Sequence, residues 1–547
     1  MFKSKRIFAL LIAIVLMLSL FSSCTKDPSK DSSKSDENGK QETEKSDDKK
    51  GDDPVGEDFA GYPIEKEGAS LRLWTSQLGY HSDYTSEEES PYHQYLSEFT
   101  GVDIIWERPA AGEDAEQAYN LLLASGDLPD IIYRGGLPSR IETLIEEGHV
   151  ITLDDEMPQF APALYSYLEA NPDVMRAVKS DSGHLYNFPF LRDDVVWQGS
   201  YVGNVINTDV LSKTGLDKPV TIDEWKDVFY AMKDECDIVF ATNAMLRLKL
   251  LFANAFDISF DNYYIDNGKV SDSFSGEGYY NFLKMANEFY KDGLIDPDFV
   301  TADTASFSET FVASKIGIAT TGTVTFGYVY DQVVERDGSW DYEPIPYPVP
   351  TEGAPIKHVQ GEAIWTGNGA VITSACEDVE LAMRFLDYGY TDEGIITWNF
   401  GKEGESFEFV DGVPTLLPVI TEAAEGVSEA AKRYTSMTAN GISFMDLEFN
   451  RQRNLDFANQ VTDVCTANTE EAVNYRMPPI SATEAEGRET ADIQATIDAY
   501  VEEMYVGFIT GTQSLDNYDE YEKTLEDMNL ERLLEIKQEQ LDRYNSR

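Results

Sequence analysis

Apolar positions along this chain recur in helical and strand rhythms, most clearly between Glu113 and Gly136. Ala115, Ala118, Tyr119 and Leu122 stand at the i, i+3, i+4, i+7 spacing of one buried helical stripe, and Gly126 supplies the stop. Leu128-Pro129 then turns the chain into a short apolar strand at 131–133, whose exit, Arg134-Gly135-Gly136, is polar and glycine-rich. A strand flanked by helices is the unit of a parallel α/β sheet, and open sheets bind ligands beyond the carboxyl ends of their strands. The unit repeats, with strands at 71–74 and 102–106 around a helix over 91–99. Ser139-x-x-Glu142 has the form of a capping box, opening a helix with Ile141, Leu144 and Ile145 on one face and Gly148 at its end. Loops at 77–84, 109–113 and 134–136 are therefore expected on one edge.

A second region follows. Segments 150–155 and 182–190 read as extended and 201–206 as a strand, with a crossover at 191–200 that carries Trp197. Thr221-x-x-Glu224 is another capping box, with Val220 placed to staple onto Trp225. Tyr279, Leu283, Ala286 and Tyr290 mark a helix closed near Gly293; a helix over 306–313 and a strand at 315–320 come next. The proline-punctuated run after Asp341 cannot be helical and is expected to rejoin the first sheet, with the return crossover near 339–342. A strand at 370–373, a capping box at Ser374-x-x-Glu377, a helix bearing Val379, Ala382, Met383 and Leu386, and a short helix from Thr391 restore the style of the first region. Ile493, Ile497, Val501, Met504, Tyr505 and Phe508 share a stripe, and Leu525, Met528, Leu533 and Ile536 belong to a terminal helix that covers the second lobe or braces both. The pattern predicts two α/β lobes with discontinuous boundaries.

Composition narrows the function. At 547 residues the chain exceeds what one hydrophobic core normally serves. Its 99 acidic against 43 basic residues, a formal charge of -56, argue against nucleic acid and against adhesion to an anionic membrane through surface charge. Lys3, Lys5 and Arg6 precede an apolar run over 7–20 and then Phe21-Ser22-Ser23-Cys24, the form of an export signal. The stretch resembles the lipobox of bacterial lipoproteins, with Phe21 where leucine is usual; that resemblance implies cleavage before Cys24 and a lipid on its sulfur. Residues 25–70 hold so few apolar side chains that burial cannot offset ordering, and a tether is expected. Cys236, Cys376 and Cys465 are expected free and buried. The histidines are dispersed and there is no CxxC or HExxH, so structural zinc has no case and no cofactor is expected; a calcium site assembled from carboxylates stays open, although Asp261 to Asp272 lacks EF-hand spacing and reads as an acidic loop. No catalytic triad or phosphate loop is present.

Six stretches occur in a recognisable order: YLSEFTGVDI at 95–104, LLASGDLPDIIY at 122–133, GLDKPVTIDEW at 215–225, KDGLIDPDF at 291–299, SKIGIA at 314–319 and RFLDYGYTDEG at 384–394. From residue 71 to the end the chain resembles extracellular solute-binding proteins of bacterial ABC transporters, of the long lipoprotein type used for oligosaccharides. That resemblance implies a two-lobed periplasmic-binding-protein-like fold of type II that encloses a solute and performs no chemical step. It maps the hinge onto 187–193, the return onto 341–348 and the last passage after Trp398. The expected division is a signal peptide at 1–23, a lipidated tether at 24–70, lobe 1 from 71–190 and 342–398, and lobe 2 from 191–341 and 399–547. Loops brought to the cleft offer Trp74, Tyr80, Trp197, Trp365 and Trp398 as ring platforms for sugar C–H faces, with His81, Asp83, Glu113 and Arg134 as polar partners. The implied partners are an oligosaccharide, a permease pair and, across the membrane, an ATPase, for a monomer held by lipid on the outer face of the cell membrane. A peptide or other small solute, a glycan-binding adhesin and a glycoside-active enzyme remain the alternatives.

Overall fold

Hydrophobic stripes at helical spacing and short β-branched runs sort the described residues into two main sheets and two separate hairpins. The computed structural model describes residues 61–76, 84, 86–110, 113–436, 442–480 and 482–547. Gly56–Arg547 forms one compact unit; the preceding unit, including Cys24, lies outside the described residues. The strands are β1 (Ser70–Thr75), β2 (Asp103–Glu107), β3 (Ile131–Arg134), β4 (Phe188–Arg192), β5 (Val202–Asn207), β6 (Ile238–Thr242), β7 (Tyr263–Asp266), β8 (Lys269–Asp272), β9 (Ile316–Gly322), β10 (Tyr342–Pro344), β11 (Trp365–Ile372), β12 (Phe407–Val410), β13 (Val413–Leu416) and β14 (Phe444–Met445).

The first sheet runs β14-β4-β11-β3-β1-β2 and the second β10-β5-β9-β6. In the first, β1 lies parallel to β2 and β3, while β11 is antiparallel to both β3 and β4. In the second, β9 is parallel to β6 and antiparallel to β5, and every residue of β9 is buried. This is the α/β periplasmic-binding-protein-like architecture with discontinuous lobes. Each sheet has its own apolar core. Leu73, Ile131, Phe188, Val371 and the helix Val379–Asp387 meet in the first, and Trp225, Phe229, Phe240, Phe252 and Phe289 stack in the second.

Several boundaries differ from the sequence reading. The folded body begins before residue 71: Tyr62 and Ile64 pack on the first core, and the Tyr62 hydroxyl donates to the Arg384 carbonyl at 2.7 Å. The return to the first sheet comes later than 342, because β10 pairs with β5 of the second sheet, and Tyr347, Val349 and Val359 pack in that lobe. The last passage also comes later than Trp398, since β14 pairs with β4, and Phe400, Phe407, Leu416, Ile420 and Phe449 form a satellite cluster beside the first lobe. Proline-rich extended chain adds to whichever edge it meets first, and local sequence does not record which edge that is.

Two expected capping boxes are absent. Ser139 ends a short 3-10 turn, and Glu142 instead accepts from the Ser182 N–H and hydroxyl, each at 2.7 Å. Ser374 does not open the next helix either; Asp378 does, accepting from the Leu381 N–H. The box at Thr221 and Glu224 forms as expected, although Val220 stays 44 % exposed. The segment read as an acidic loop is the hairpin β7–β8, whose two-residue turn Asn267-Gly268 has positive φ at both positions, as a type I′ turn requires. Cys236, Cys376 and Cys465 are free, but Cys236 is only partly buried.

The C-terminal helices brace both lobes. Leu530 and Leu533 of helix Leu530–Ser546 pack in the second core, while Tyr544 reaches the first. Near that end, Arg543 donates to Asp181 at 2.8 Å and holds Glu486 through both carboxylate oxygens at 2.7 and 2.6 Å. Among the described residues, no helix is long and apolar enough to cross a membrane.

Candidate site where the two sheets meet

The carboxyl ends of β3 and β4 in one sheet, and of β6 and β9 in the other, give onto the segments that connect the sheets. The first connection leaves β4 at Arg192, runs through the short helix Val195–Gln198 and enters β5 beside the last residue of β9, where Val202 pairs with Gly322. The second leads from β10 to β11, and the third from β14 through helix Leu447–Arg453 to helix Asp456–Thr466. These connections are fastened to one another. Gln198 Nε2 donates to the Met445 carbonyl at 2.7 Å, Gln360 Nε2 to the Gly199 carbonyl at 2.9 Å, and the Leu447 N–H to Asp193 at 3.2 Å.

On the first lobe the expected aromatic platforms are turned inward. Trp365 is 0 % exposed, its Nε1 donating to the Asn368 carbonyl at 2.7 Å. Trp398 is buried against Tyr92, ring centroids 5.6 Å apart. Neither presents a ring face, and both are corrected to core residues; the alternation that sends every second strand residue inward carries Trp365 with it. Trp74 is buried too, 5.8 Å from Tyr119. Arg134 lies over the other partner of that group: its Cζ is 3.8 Å from the Tyr119 centroid and its Nη2 donates to Glu116 at 2.7 Å. Trp74 and Arg134 are thus brought together through Tyr119. Glu113 is exposed and closes its own turn, accepting from the Ala110 N–H at 3.1 Å. Tyr80, His81 and Asp83 lie outside the described residues.

Trp197 sits in the connections themselves. It is 7 % exposed, donates through Nε1 to Asp463 at 2.8 Å, and lies under the Arg451 guanidinium at 4.6 Å; Arg451 completes the triangle with Asp463 at 2.8 Å. The ring therefore pins the first connection to the third. Beside it Arg192 pairs with Glu362, and Arg476 donates to the Glu362 carbonyl at 3.4 Å. Gly361 leaves room for that guanidinium: a Cβ there would stand 1.9 Å from Arg476 Nη2.

The second lobe presents a different edge. Tyr201, just before β5, is 50 % exposed, while its N–H donates to Gln360 at 2.8 Å and its carbonyl accepts from the Thr323 N–H at 2.9 Å. Its hydroxyl is held above the ordinary phenol range by burial first and then by the charge of Glu362. Arg247 rises from helix Arg247–Phe252 to the ends of β6 and β9, donating through Nη1 to Asn243 and to the Thr321 hydroxyl, the latter at 3.3 Å. Val324 and Tyr328, one turn apart on helix Thr323–Asp337, are 53 % and 65 % exposed. Backbone frame, aromatic face and guanidinium together make a surface suited to binding and orienting a polar solute. Sequence reasoning missed Tyr201, Arg247 and Glu362. The one local signal was an aromatic residue immediately before a predicted strand that follows a crossover; Arg247 and Glu362 stand in no motif.

Comparison with known proteins fits this geometry. The model of the bacterial extracellular solute-binding protein family matches residues 83–396, more than half of the chain. The chain belongs to that family. Among related solute-binding proteins, the fructooligosaccharide ABC transporter substrate-binding protein FusA of Streptococcus pneumoniae serotype 4 is 25% identical over 496 residues, 83% of this chain and 87% of FusA. The structure of S. pneumoniae FusA in complex with kestose superposes with a TM-score of 0.68 at 24% identity, covering 87% of this chain and 99% of that one. An HMO-binding, ABC-transporter-associated solute-binding protein from Bifidobacterium longum infantis gives 0.71 at 18% identity, covering 88% and 99%. The work of a solute-binding protein is capture, without a chemical step. Accordingly the groups at this site are ring faces and fixed hydrogen-bond donors.

Proposed function

We propose that this protein captures an extracellular oligosaccharide between its two lobes and delivers it to the permease of an ABC importer when the lobes close. The observation that carries this reading is Tyr201. A half-exposed ring is held by its own backbone at the carboxyl edge of the second sheet, next to guanidinium and amide donors. Sugars offer C–H faces to such rings and hydroxyls to such donors. The relation to FusA, a fructooligosaccharide-binding protein, supports the same class of ligand. Lobe 1 is then formed by residues from about 61–192 and 365–445, and lobe 2 by most of the remainder. The extracellular body is held to the membrane by lipid on Cys24, since a surface of this acidity supplies no attachment to anionic lipid.

Isothermal titration calorimetry with kestose, milk oligosaccharides, plant oligosaccharides and peptides tests the ligand class, and small-angle X-ray scattering on the same mixtures tests closure. Binding of at least one oligosaccharide with a smaller radius of gyration is expected. Tight peptide binding with no glycan binding would overturn the reading. For the anchor, Cys24→Ala should abolish lipid labelling, and persistence of the label would remove that assignment.

A further inference from the structure

The arginines around the connections differ in what they face. Arg192 is paired with Glu362, Arg451 with Asp463 and Arg134 with Glu116. Arg247 is not paired with an acid: among the described residues its hydrogen bonds go to the neutral oxygens of Asn243 and Thr321, and the titratable groups beside it are the neutral phenols of Tyr201 and Tyr347. In a chain with 99 acidic residues against 43 basic ones, an arginine half removed from water and without a carboxylate is unusual. Desolvating a charge without a counter-charge is costly, and here burial lowers the guanidinium's proton affinity. Both hydrogen bonds use Nη1, which leaves the Nε and Nη2 pair, the side of the fork that meets a carboxylate in two parallel bonds. Arg476 adds a second positive charge beside the same tyrosine, Tyr347, and its buried Nε also lacks an acceptor. The nearby acids are Glu362, already held by Arg192, and Asp261, which faces Arg476 and Lys249.

We infer that the captured saccharide is acidic, and that Arg247 receives its carboxylate while Tyr201 takes the adjoining ring. This rests on the oligosaccharide reading above and specifies its substrate class. Asn243 and Thr321 then serve to aim the guanidinium, so that its free edge is fixed before the ligand arrives.

The test is calorimetry with matched probes: trisaccharides of galacturonate and of mannuronate, and sialyllactose, each beside its carboxyl-reduced counterpart. At least one acidic probe should bind ~10-fold or more tightly than its reduced form, with affinity falling as salt is raised. Arg247→Gln should abolish that preference, so that the acidic and reduced forms bind the variant alike; Arg247→Lys should restore only part of it. If the reduced forms bind as tightly as the acidic ones to the parent protein, the acidic assignment fails and oligosaccharide capture stands. If the preference survives in Arg247→Gln, the role of Arg247 fails. Absence of binding by any acidic or neutral saccharide overturns both readings. Should Arg247→Gln not fold, as judged by circular dichroism, the acid-to-reduced ratio and salt dependence of the parent protein still decide the ligand's charge.

Discussion

At the carboxyl edge of the first sheet the aromatic side chains turn inward: Trp365 and Trp74 are buried, and Arg134 is spent on Tyr119 and Glu116. At the corresponding edge of the second sheet Tyr201 and Tyr328 stand half or more exposed, and Arg247 has a free edge. Both edges end strands of the same architecture, and both open onto the same connections. The difference teaches that a tryptophan in a predicted ligand loop is poor evidence for a platform. Large rings are taken up by whichever core is nearest, and a ring remains available only where the backbone fastens its residue at a surface.

The largest effect that could break this comparison is at Trp365. Trp365→Ala should destabilise the protein by about 3–5 kcal/mol, because it empties a fully buried site. Thermal unfolding measures it; an unchanged melting temperature with lost ligand binding would return Trp365 to the cleft.

Next in size is a titration within the first lobe. Asp387 is buried and accepts from the Ala163 and Leu164 N–H groups at 3.1 and 2.9 Å, yet burial pushes its carboxyl up to about 6. The folded state therefore binds the proton more tightly than the unfolded chain. The stability this contributes is complete below about pH 4 and is lost as pH rises through 6, by up to roughly 3 kcal/mol. Denaturant unfolding across pH 4–7 should show a downward slope that is flatter in Asp387→Asn; parallel curves for the two proteins would refute the assignment.

A smaller effect tests the second edge directly. Tyr201→Ala should weaken ligand binding by about 1–3 kcal/mol. Its thermal unfolding should stay within about 0.5 kcal/mol of the parent, since the side chain is half exposed. A loss of stability without a loss of affinity would make Tyr201 a packing residue like its counterparts across the connections. The smallest effect is at the bracket between the edges. Trp197→Phe removes the donor to Asp463 but leaves Arg451 in place, and should cost about 1 kcal/mol of stability. Ligand affinity close to the parent value would separate this ring from the platform, whereas a tenfold loss in calorimetry would join them.

The amino-acid sequence alone determined the alternation of strand and helix, the stops at Gly126 and Gly293, the capping box at Thr221, the extended character of the run after Asp341 and the presence of two cores. All of these are set within a few residues by spacing, capping and backbone freedom. It did not determine which sheet β10 and β14 join, because edge pairing depends on which backbone lies alongside. It could not show that Glu142 bonds Ser182, since acceptor and donor are forty residues apart in sequence and adjacent only after folding. The candidate site belongs to that second class throughout. Tyr201, Arg247, Glu362 and Arg476 come from four separated stretches with no shared motif, and their exposure or pairing exists only once three connections are fastened between the sheets. Residue type fixed what each could do; tertiary packing decided which rings were buried and which guanidinium was left without a carboxylate, because burial and counter-charge are properties of neighbours in space.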